Sequence, residues 1–184
     1  HDPGVKVLAL EPNRRNFLRT QALLWRLPAR WRRKLWLRRA AAGNHTSQVI
    51  LHGIGAKASL KSDAYGGLIW HQPGTGRVIS ERDEHVERVP LVSLDALQAL
   101  KDEDVELLKI DVEGSEMEVL QGARSLIREQ RVTSIILEYS HFWNAELYGL
   151  AKDMSLKGYD GSFLGTNCIL PFSGSQMEWW HDIY

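Results

Sequence analysis

The stretch Leu107-Leu108-Lys109-Ile110-Asp111-Val112-Glu113-Gly114-Ser115-Glu116 carries the clearest signal of the fold. The apolar run Val105–Ile110 predicts a buried strand, and Ser115 can cap the helix that follows. Two carboxylates two residues apart at a strand end point to the same side, and the glycine after them lets a helix N-terminus face a ligand. We therefore interpret Asp111 and Glu113 as a functional pair; the alternative is a capping cluster for the helix.

Strands and helices alternate along the rest of the chain. The run Val5–Leu10 stops at Glu11-Pro12, as a buried strand would, and Asn13 can cap a helix whose apolar stripe continues to Trp25. Further strands are predicted at Gln48–His52, Val86–Val92, Val132–Leu137, Ser162–Leu164 and Cys168–Leu170. Further helices are predicted at 29–42, at 93–100, after Ser115 and at 145–156. The helix after Ser115 is expected to turn six apolar side chains toward the core: Met117, Val119, Leu120, Ala123, Leu126 and Ile127. Residues 60–80 are predicted to form a loop or irregular hairpin. This alternation predicts a doubly wound α/β sheet, in which ligands bind outside the carboxyl ends of the strands.

Length and composition predict a single domain over residues 1–184. With 184 residues, 43% of them apolar, the chain can bury one core but is too short for two ordinary domains. Lys+Arg and Asp+Glu each total 23, so net charge gives no general attraction to nucleic acid or anionic membranes. No apolar run approaches the roughly 20 residues of a spanning helix. Because the chain opens without Met and Val5–Leu10 already has the pattern of a core strand, we expect upstream sequence to be missing.

Basic residues are concentrated in one part of the chain. No Asp or Glu occurs between Pro12 and Ser62, and the segment at about 25–42 is rich in Trp and Arg. Trp25, Trp31 and Trp36 among the arginines of Arg30–Arg39 allow binding to an anionic surface or nucleic acid. The interpretation we favour is a solvated insertion whose aliphatic stems and indoles cover the flank of the domain.

The strand ends supply candidate ligand contacts. A carboxylate that closes an early strand of a nucleotide-binding unit can accept both ribose hydroxyls, and Glu11 fits that role. The alternative is an acid that stabilises the dipole of the next helix. Gly53-Ile54-Gly55 follows another strand, where close approach of the backbone would accommodate an adenine.

Several of these motifs together resemble one enzyme family. They are Leu10-Glu11-Pro12-Asn13, Ser93-Leu94-Asp95, Leu108–Glu116 with Val119-Leu120-Gln121-Gly122-Ala123, and Ile135-Ile136-Leu137-Glu138. In order and spacing, from about Val5 to Tyr159, the chain resembles the FkbM family of methyltransferases. The resemblance implies a class I methyltransferase fold, S-adenosylmethionine as donor, and O-methylation of hydroxyls on sugars, polyketides or related metabolites. The family's glycine-rich turn, Asp-x-Gly-x-x-x-Gly, is not found ahead of Val5.

The resemblance also assigns roles. Glu11 would hold the cofactor ribose, with Asn13, Gly53 and Ile54 beside it, and Asp111 would face both the sulfonium and the acceptor. The expected catalytic set is Asp111 as base or acceptor anchor, Glu113 supporting it, Glu138 completing an acidic rim, and His141 as a possible general base. A metal shared by the three carboxylates is the weaker alternative, and no metal is assigned. Two rival functions remain: a non-catalytic binding module that acts through the basic segment, and, last, a nicotinamide-dependent oxidoreductase.

Overall fold

The described part of the chain has a mixed α/β architecture. A computed structural model describes residues 4–52, 59–61, 86–112, 115–137, 149, 152–164 and 169–172. The strands are β1 Val7–Leu10, β2 Leu35–Arg38, β3 Ala41–Ala42, β4 Ser47–His52, β5 Ser59–Lys61, β6 Val86–Val92, β7 Val105–Ile110, β8 Val132–Leu137, β9 Gly161–Leu164 and β10 Ile169–Phe172. The helices are α1 Arg14–Trp25, α2 Ala29–Arg32, α3 Glu116–Gly122, α4 Arg124–Arg128 and α5 152–156.

Two pairs of parallel strands organise the fold. β1 pairs with β2 from Val7 opposite Leu35, and β7 pairs with β8 from Val105 opposite Val132. Helices connect the strands of each pair, so each pair is a βαβ unit. The predicted bounds of β7 and β8 are confirmed, and β1 covers most of the predicted Val5–Leu10. Among the described residues the two pairs belong to separate sheets, so a continuous doubly wound sheet stays a prediction.

A third sheet has the strand order β3-β6-β4-β5. β6 runs parallel to β3 and antiparallel to β4, and β5 is antiparallel to β4. The strands predicted at Gln48–His52 and Val86–Val92 are confirmed. Of the stretch predicted to be a loop or irregular hairpin at 60–80, the described residues 60 and 61 belong to β5, and the rest lies outside the described residues. A small apolar cluster holds this sheet together, formed by Ala41, Val49, Leu51, Val89 and Leu91. The predicted C-terminal strands correspond to the antiparallel pair β9 and β10.

The predicted helix at 29–42 is wrong beyond its first turn. Only Ala29–Arg32 is helical, and Leu35–Arg38 is a strand. Half-buried Leu35 and Leu37 alternate there with exposed neighbours, which is the period of two that a strand requires. The partner strand decides the outcome: the Val7 amide donates to the Lys34 carbonyl at 2.8 Å, just ahead of the paired residues. A basic sequence rich in good helix formers is thus overridden by pairing with β1.

Two further helix predictions need correction. In place of a helix from Ser93 to Leu100, the chain makes two 3₁₀ turns, Leu94–Ala96 and Gln98–Leu100. The helix after Ser115 is divided at Ala123 into α3 and α4, and Ser115 occupies the N-cap position without a side-chain capping bond in the described structure. Of the predicted helix at 145–156, the described residues 149 and 152–156 are helical.

The main core lies between the parallel pairs and the α3–α4 segment. As the sequence predicts, α3 and α4 contribute apolar side chains to it; with Ala123 between them, these are Val119, Leu120, Ala123, Leu126 and Ile127. The 3₁₀ turns are fixed to α4 because Asp95 accepts the amides of Ser125 at 2.8 Å and Leu126 at 3.1 Å. The helix α3 also lies directly against the Gly43 backbone, since a β-carbon built on Gly122 would sit 1.9 Å from the Gly43 carbonyl oxygen.

Side-chain bonds to the backbone secure the amino end of the parallel β7–β8 pair. The Arg131 guanidinium donates to the carbonyls of Leu100 and Glu103, both at 2.6 Å. The Tyr159 hydroxyl donates to the carbonyl of Val132 at 2.5 Å, and burial raises the pKa of this phenol. None of the helices in the described ranges is long and apolar enough to cross a membrane.

Candidate functional site

The turn after β1 holds the carboxylate of Glu11 in one orientation. The Glu11 amide donates to the Arg38 carbonyl at 3.1 Å, which ties the turn to the end of β2. Oε1 of Glu11 accepts the Asn13 amide at 2.8 Å, and Oδ1 of Asn13 caps α1 by accepting the Asn16 amide at 3.1 Å. Asn13 is 5% exposed, whereas Glu11 is half-buried. The described contacts engage Oε1 of Glu11, so the turn orients the carboxylate and Oε2 can face a ligand.

Asp111 follows the end of β7 and is open to solvent. Oδ2 of Asp111 lies 2.5 Å from Nζ of Lys109, and the two side chains are 48% and 64% exposed. An ion pair this exposed contributes about 0–1 kcal/mol. Asp111 can therefore exchange Lys109 for another partner at little cost.

An ion pair connects the segments just ahead of the two strands that carry these carboxylates. Nζ of Lys6, ahead of β1, lies 2.6 Å from Oε1 of Glu103, ahead of β7. The last residues of the two strands, Leu10 and Ile110, belong to the same apolar core. β1 and β7 thus lie in separate sheets of the described chain but contribute to one core, with Glu11 and Asp111 each directly after the strand end.

The chain was compared with known protein families, curated proteins and solved structures. The family model described as the methyltransferase FkbM domain matches residues 1–159. The chain belongs to the FkbM methyltransferase family. Curated proteins and solved structures give no match. The FkbM match covers Glu11, Asn13 and Asp111 and confirms the family that the motifs resemble; β9 and β10 lie beyond the matched residues.

Other predicted site residues of the FkbM domain fall outside the described ranges. These are Gly53, Ile54, Glu113, Glu138 and His141. Their assignments to cofactor and acceptor stay predictions. Among the described residues, no group of three His, Cys, Asp or Glu side chains is placed to hold a metal ion.

Sequence reasoning missed one contact beside the Glu11 turn. Oε2 of Glu87, on β6, pairs with the Arg39 guanidinium and accepts the amide of Arg14 at 3.3 Å. This carboxylate thus joins the start of α1 to the residue that follows β2. The sequence predicts a helix at Arg39, and Glu87 lies 48 residues further along the chain. No local pattern therefore indicates this pair.

A second missed contact supports the Asp111 turn. Glu116, at the start of α3, is only 4% exposed, and its Oε1 lies 3.3 Å from the Val112 amide, which donates to it. The sequence feature that could have indicated this contact is an acidic residue in the first turn of a helix, where carboxylates commonly bind free backbone amides. Glu116 thus links α3 to the residue directly after Asp111.

Proposed function

We propose that this protein is an S-adenosylmethionine-dependent methyltransferase that methylates a hydroxyl oxygen on a sugar, polyketide or related metabolite. Membership in the FkbM methyltransferase family supports the reaction class. The observation that carries the proposal within this chain is the Glu11 carboxylate, which its own turn orients at the carboxyl end of a parallel strand. Ligands of open α/β sheets bind at that end.

The arrangement of strands supports a class I, doubly wound sheet. Both parallel pairs are βαβ units, and the amino ends of β1 and β7 are joined by the Lys6–Glu103 ion pair. Strands that are connected at their amino ends and contribute to one core would bring their carboxyl ends to the same side. Glu11 and Asp111 would then face one crevice, as a donor site and an acceptor site must.

The residues at the end of β1 fit the ribose of the cofactor. A carboxylate can accept hydrogen bonds from a diol, and Oε1 of Glu11 is already held by the Asn13 amide at 2.8 Å. This bond limits the rotation of the carboxylate, so less side-chain entropy is lost when a ribose hydroxyl binds at Oε2. When bound, S-adenosylmethionine supplies an electrophilic methyl group on its sulfonium.

Asp111 is proposed to take the proton of the acceptor hydroxyl. Its side chain is 48% exposed, and its partner among the described residues is Lys109, which is 64% exposed. An acceptor hydroxyl can displace that ammonium because exposed ion pairs are weak. The buried Glu116, which accepts the Val112 amide, keeps the turn in place while the Asp111 side chain changes partner. Glu113 is proposed to support Asp111 or brace its turn, Glu138 to complete an acidic rim, and His141 to act as a further general base near the acceptor.

The role of Glu11 is tested by titrating S-adenosylmethionine into wild type, Glu11→Ala and Glu11→Gln in a calorimeter. Loss of a charge-assisted hydrogen bond should cost about 1.5–3 kcal/mol, which is roughly tenfold or more in the dissociation constant. Glu11→Gln keeps an oxygen for the Asn13 amide and should preserve the unfolding midpoint better than Glu11→Ala. Glu106→Ala, an exposed glutamate on β7, is the control and should bind as wild type does. Wild-type affinity in both Glu11 variants would exclude Glu11 from the site.

The role of Asp111 is tested by Asp111→Asn with a panel of hydroxylated acceptors and a cofactor labelled in its methyl group. Turnover should fall by about 10²-fold or more, the scale expected for loss of a general base, while cofactor affinity stays within severalfold. Asp102→Asn, at another exposed acid, should leave turnover unchanged. Wild-type turnover in Asp111→Asn would make Asp111 a structural residue. If wild type binds the cofactor but methylates no acceptor in the panel, the O-methylation proposal fails and the non-catalytic module gains support.

A further inference from the structure

An exposed apolar surface lies where α1 ends and α2 follows. Leu23, Trp25, Leu27 and Trp31 are 60%, 69%, 38% and 44% exposed. No residue of α1 is buried, so this helix does not use its large side chains to fill the core. Concentrated exposure of large apolar groups typically marks a site of interaction. We name the segment Leu23–Lys34 the Trp–Arg surface.

Cations surround the apolar side chains of the Trp–Arg surface. They are Arg26, Arg30, Arg32, Arg33 and Lys34. Arg32 lies 5.0 Å from the centre of the Trp25 ring, and Lys34 and Arg30 lie 5.7 Å and 6.0 Å from that of Trp31. This segment contains no acidic residue, and the nearest acids in the sequence are Glu11 and Asp63. The carboxylate of Glu87 pairs with Arg39, which lies outside the segment. The surface is therefore both apolar and strongly positive.

An open groove runs beside this surface, between α1, α2 and β2. Its volume is about 460 Å³, and its lining combines Leu24, Leu35 and Leu37 with Trp25, Arg32 and Arg33. An apolar floor with guanidinium groups along it suits a molecule that carries an anionic head on a hydrocarbon chain. The sequence favours an insertion whose indoles cover the flank of the domain. For Trp25 this does not hold, since most of the residue is exposed.

We infer that the Trp–Arg surface binds membranes that contain anionic phospholipids. Exposed aromatic and leucine side chains of a basic segment enter the boundary between headgroups and acyl chains, while Lys and Arg bind the phosphates. The exposed leucines favour lipid over single-stranded nucleic acid, because bases stack on aromatic rings and gain little from aliphatic side chains. This inference does not depend on the proposed methyl transfer, but it would place the enzyme at a membrane surface.

The test is co-sedimentation with vesicles of phosphatidylcholine alone, or of phosphatidylcholine and phosphatidylglycerol in equal amounts. We expect binding to the anionic vesicles to be at least about tenfold tighter and to weaken as salt rises. Trp25→Ser should weaken it by roughly tenfold. The double variant Arg30→Gln/Arg33→Gln should weaken it by about fivefold per cation removed.

Two control variants test whether binding requires the Trp–Arg surface or whether any exposed tryptophan or arginine suffices. Trp36→Ser removes a tryptophan that is 50% exposed but alternates with Leu35 and Leu37, so it lies on the opposite face of β2 from the groove. Arg124→Gln removes an exposed cation on α4. Both should bind anionic vesicles within about twofold of wild type. Equal binding to both vesicle types, no binding to either, unchanged binding in both surface variants, or binding of single-stranded RNA instead of vesicles would each overturn the inference.

Discussion

Gly122→Ala should destabilise the protein strongly, because α3 lies against the backbone of Gly43. The added β-carbon would sit 1.9 Å from the Gly43 carbonyl oxygen, and backbone on both sides leaves no flexible side chain to move away. Overpacking of this kind costs about 1–3 kcal/mol. A shift of α3 would also strain the buried bond from the Ser93 hydroxyl to the Gly122 carbonyl, now 2.8 Å, which is worth about 1 kcal/mol. The gain in helix propensity from Gly to Ala offsets at most about 1 kcal/mol.

The net loss should be about 1–3 kcal/mol, or a decrease in Tm of roughly 2–12 °C for a domain of this size. Thermal unfolding followed by circular dichroism measures it. Gly149→Ala is the matched control: Gly149 is helical and exposed, and an added β-carbon meets nothing within 4 Å. It should stabilise the protein by about 0.5–1 kcal/mol. If Gly122→Ala melts at or above the wild-type temperature, the close approach of α3 to Gly43 is not present in solution.

Three further substitutions test contacts that connect distant segments, each by urea unfolding. Because burial raises the pKa of Tyr159 above 10.0, the folded state keeps a proton that the unfolded chain loses at high pH. The contribution of Tyr159 to the free energy of unfolding should therefore be fully present below about pH 10 and decrease above it. Tyr159→Phe should abolish this fall and cost about 1 kcal/mol at neutral pH, since the Val132 carbonyl loses its donor. Asp95→Ala should cost about 1–2 kcal/mol through loss of the cap on α4, and Asp102→Ala should cost nothing measurable. Arg131→Lys should cost about 1–2 kcal/mol because one ammonium cannot reproduce the guanidinium bonds to two carbonyls, and an unchanged midpoint would contradict this.

The strands of the β7–β8 pair were the most predictable part of the fold. Val105–Ile110 and Val132–Leu137 are segments rich in apolar and β-branched residues and bounded by polar residues, and their bounds in the structure are those the sequence predicts. Local pattern suffices there because such a composition between polar neighbours favours a strand whichever partner the strand pairs with. The cap of α1 was equally predictable, since Asn13 needs only the amide of Asn16, three residues away.

The segment from 29 to 42 could not be predicted in the same way. Its residues have moderate or good helix propensity, and only pairing with β1 makes Leu35–Arg38 a strand. The ion pair of Arg39 with Glu87 and the cap that Asp95 provides to α4 also join residues far apart in sequence. Such contacts depend on the tertiary arrangement, so no periodicity or spacing reveals them.

The family motifs combine residues for structure with residues for chemistry, and the contacts separate the two. In Ser93-Leu94-Asp95, the serine hydroxyl binds the Gly122 carbonyl and the aspartate caps α4, so both polar side chains of this motif bind the α3–α4 segment. Glu116 likewise turns its buried carboxylate to the backbone of Val112. Asp111 differs from these acids, because its described partner is an exposed lysine and its carboxylate stays open to solvent. A carboxylate that packing does not require can change partner without loss of stability, which is why Asp111, and not the better-bonded acids around it, is the residue we propose for proton removal.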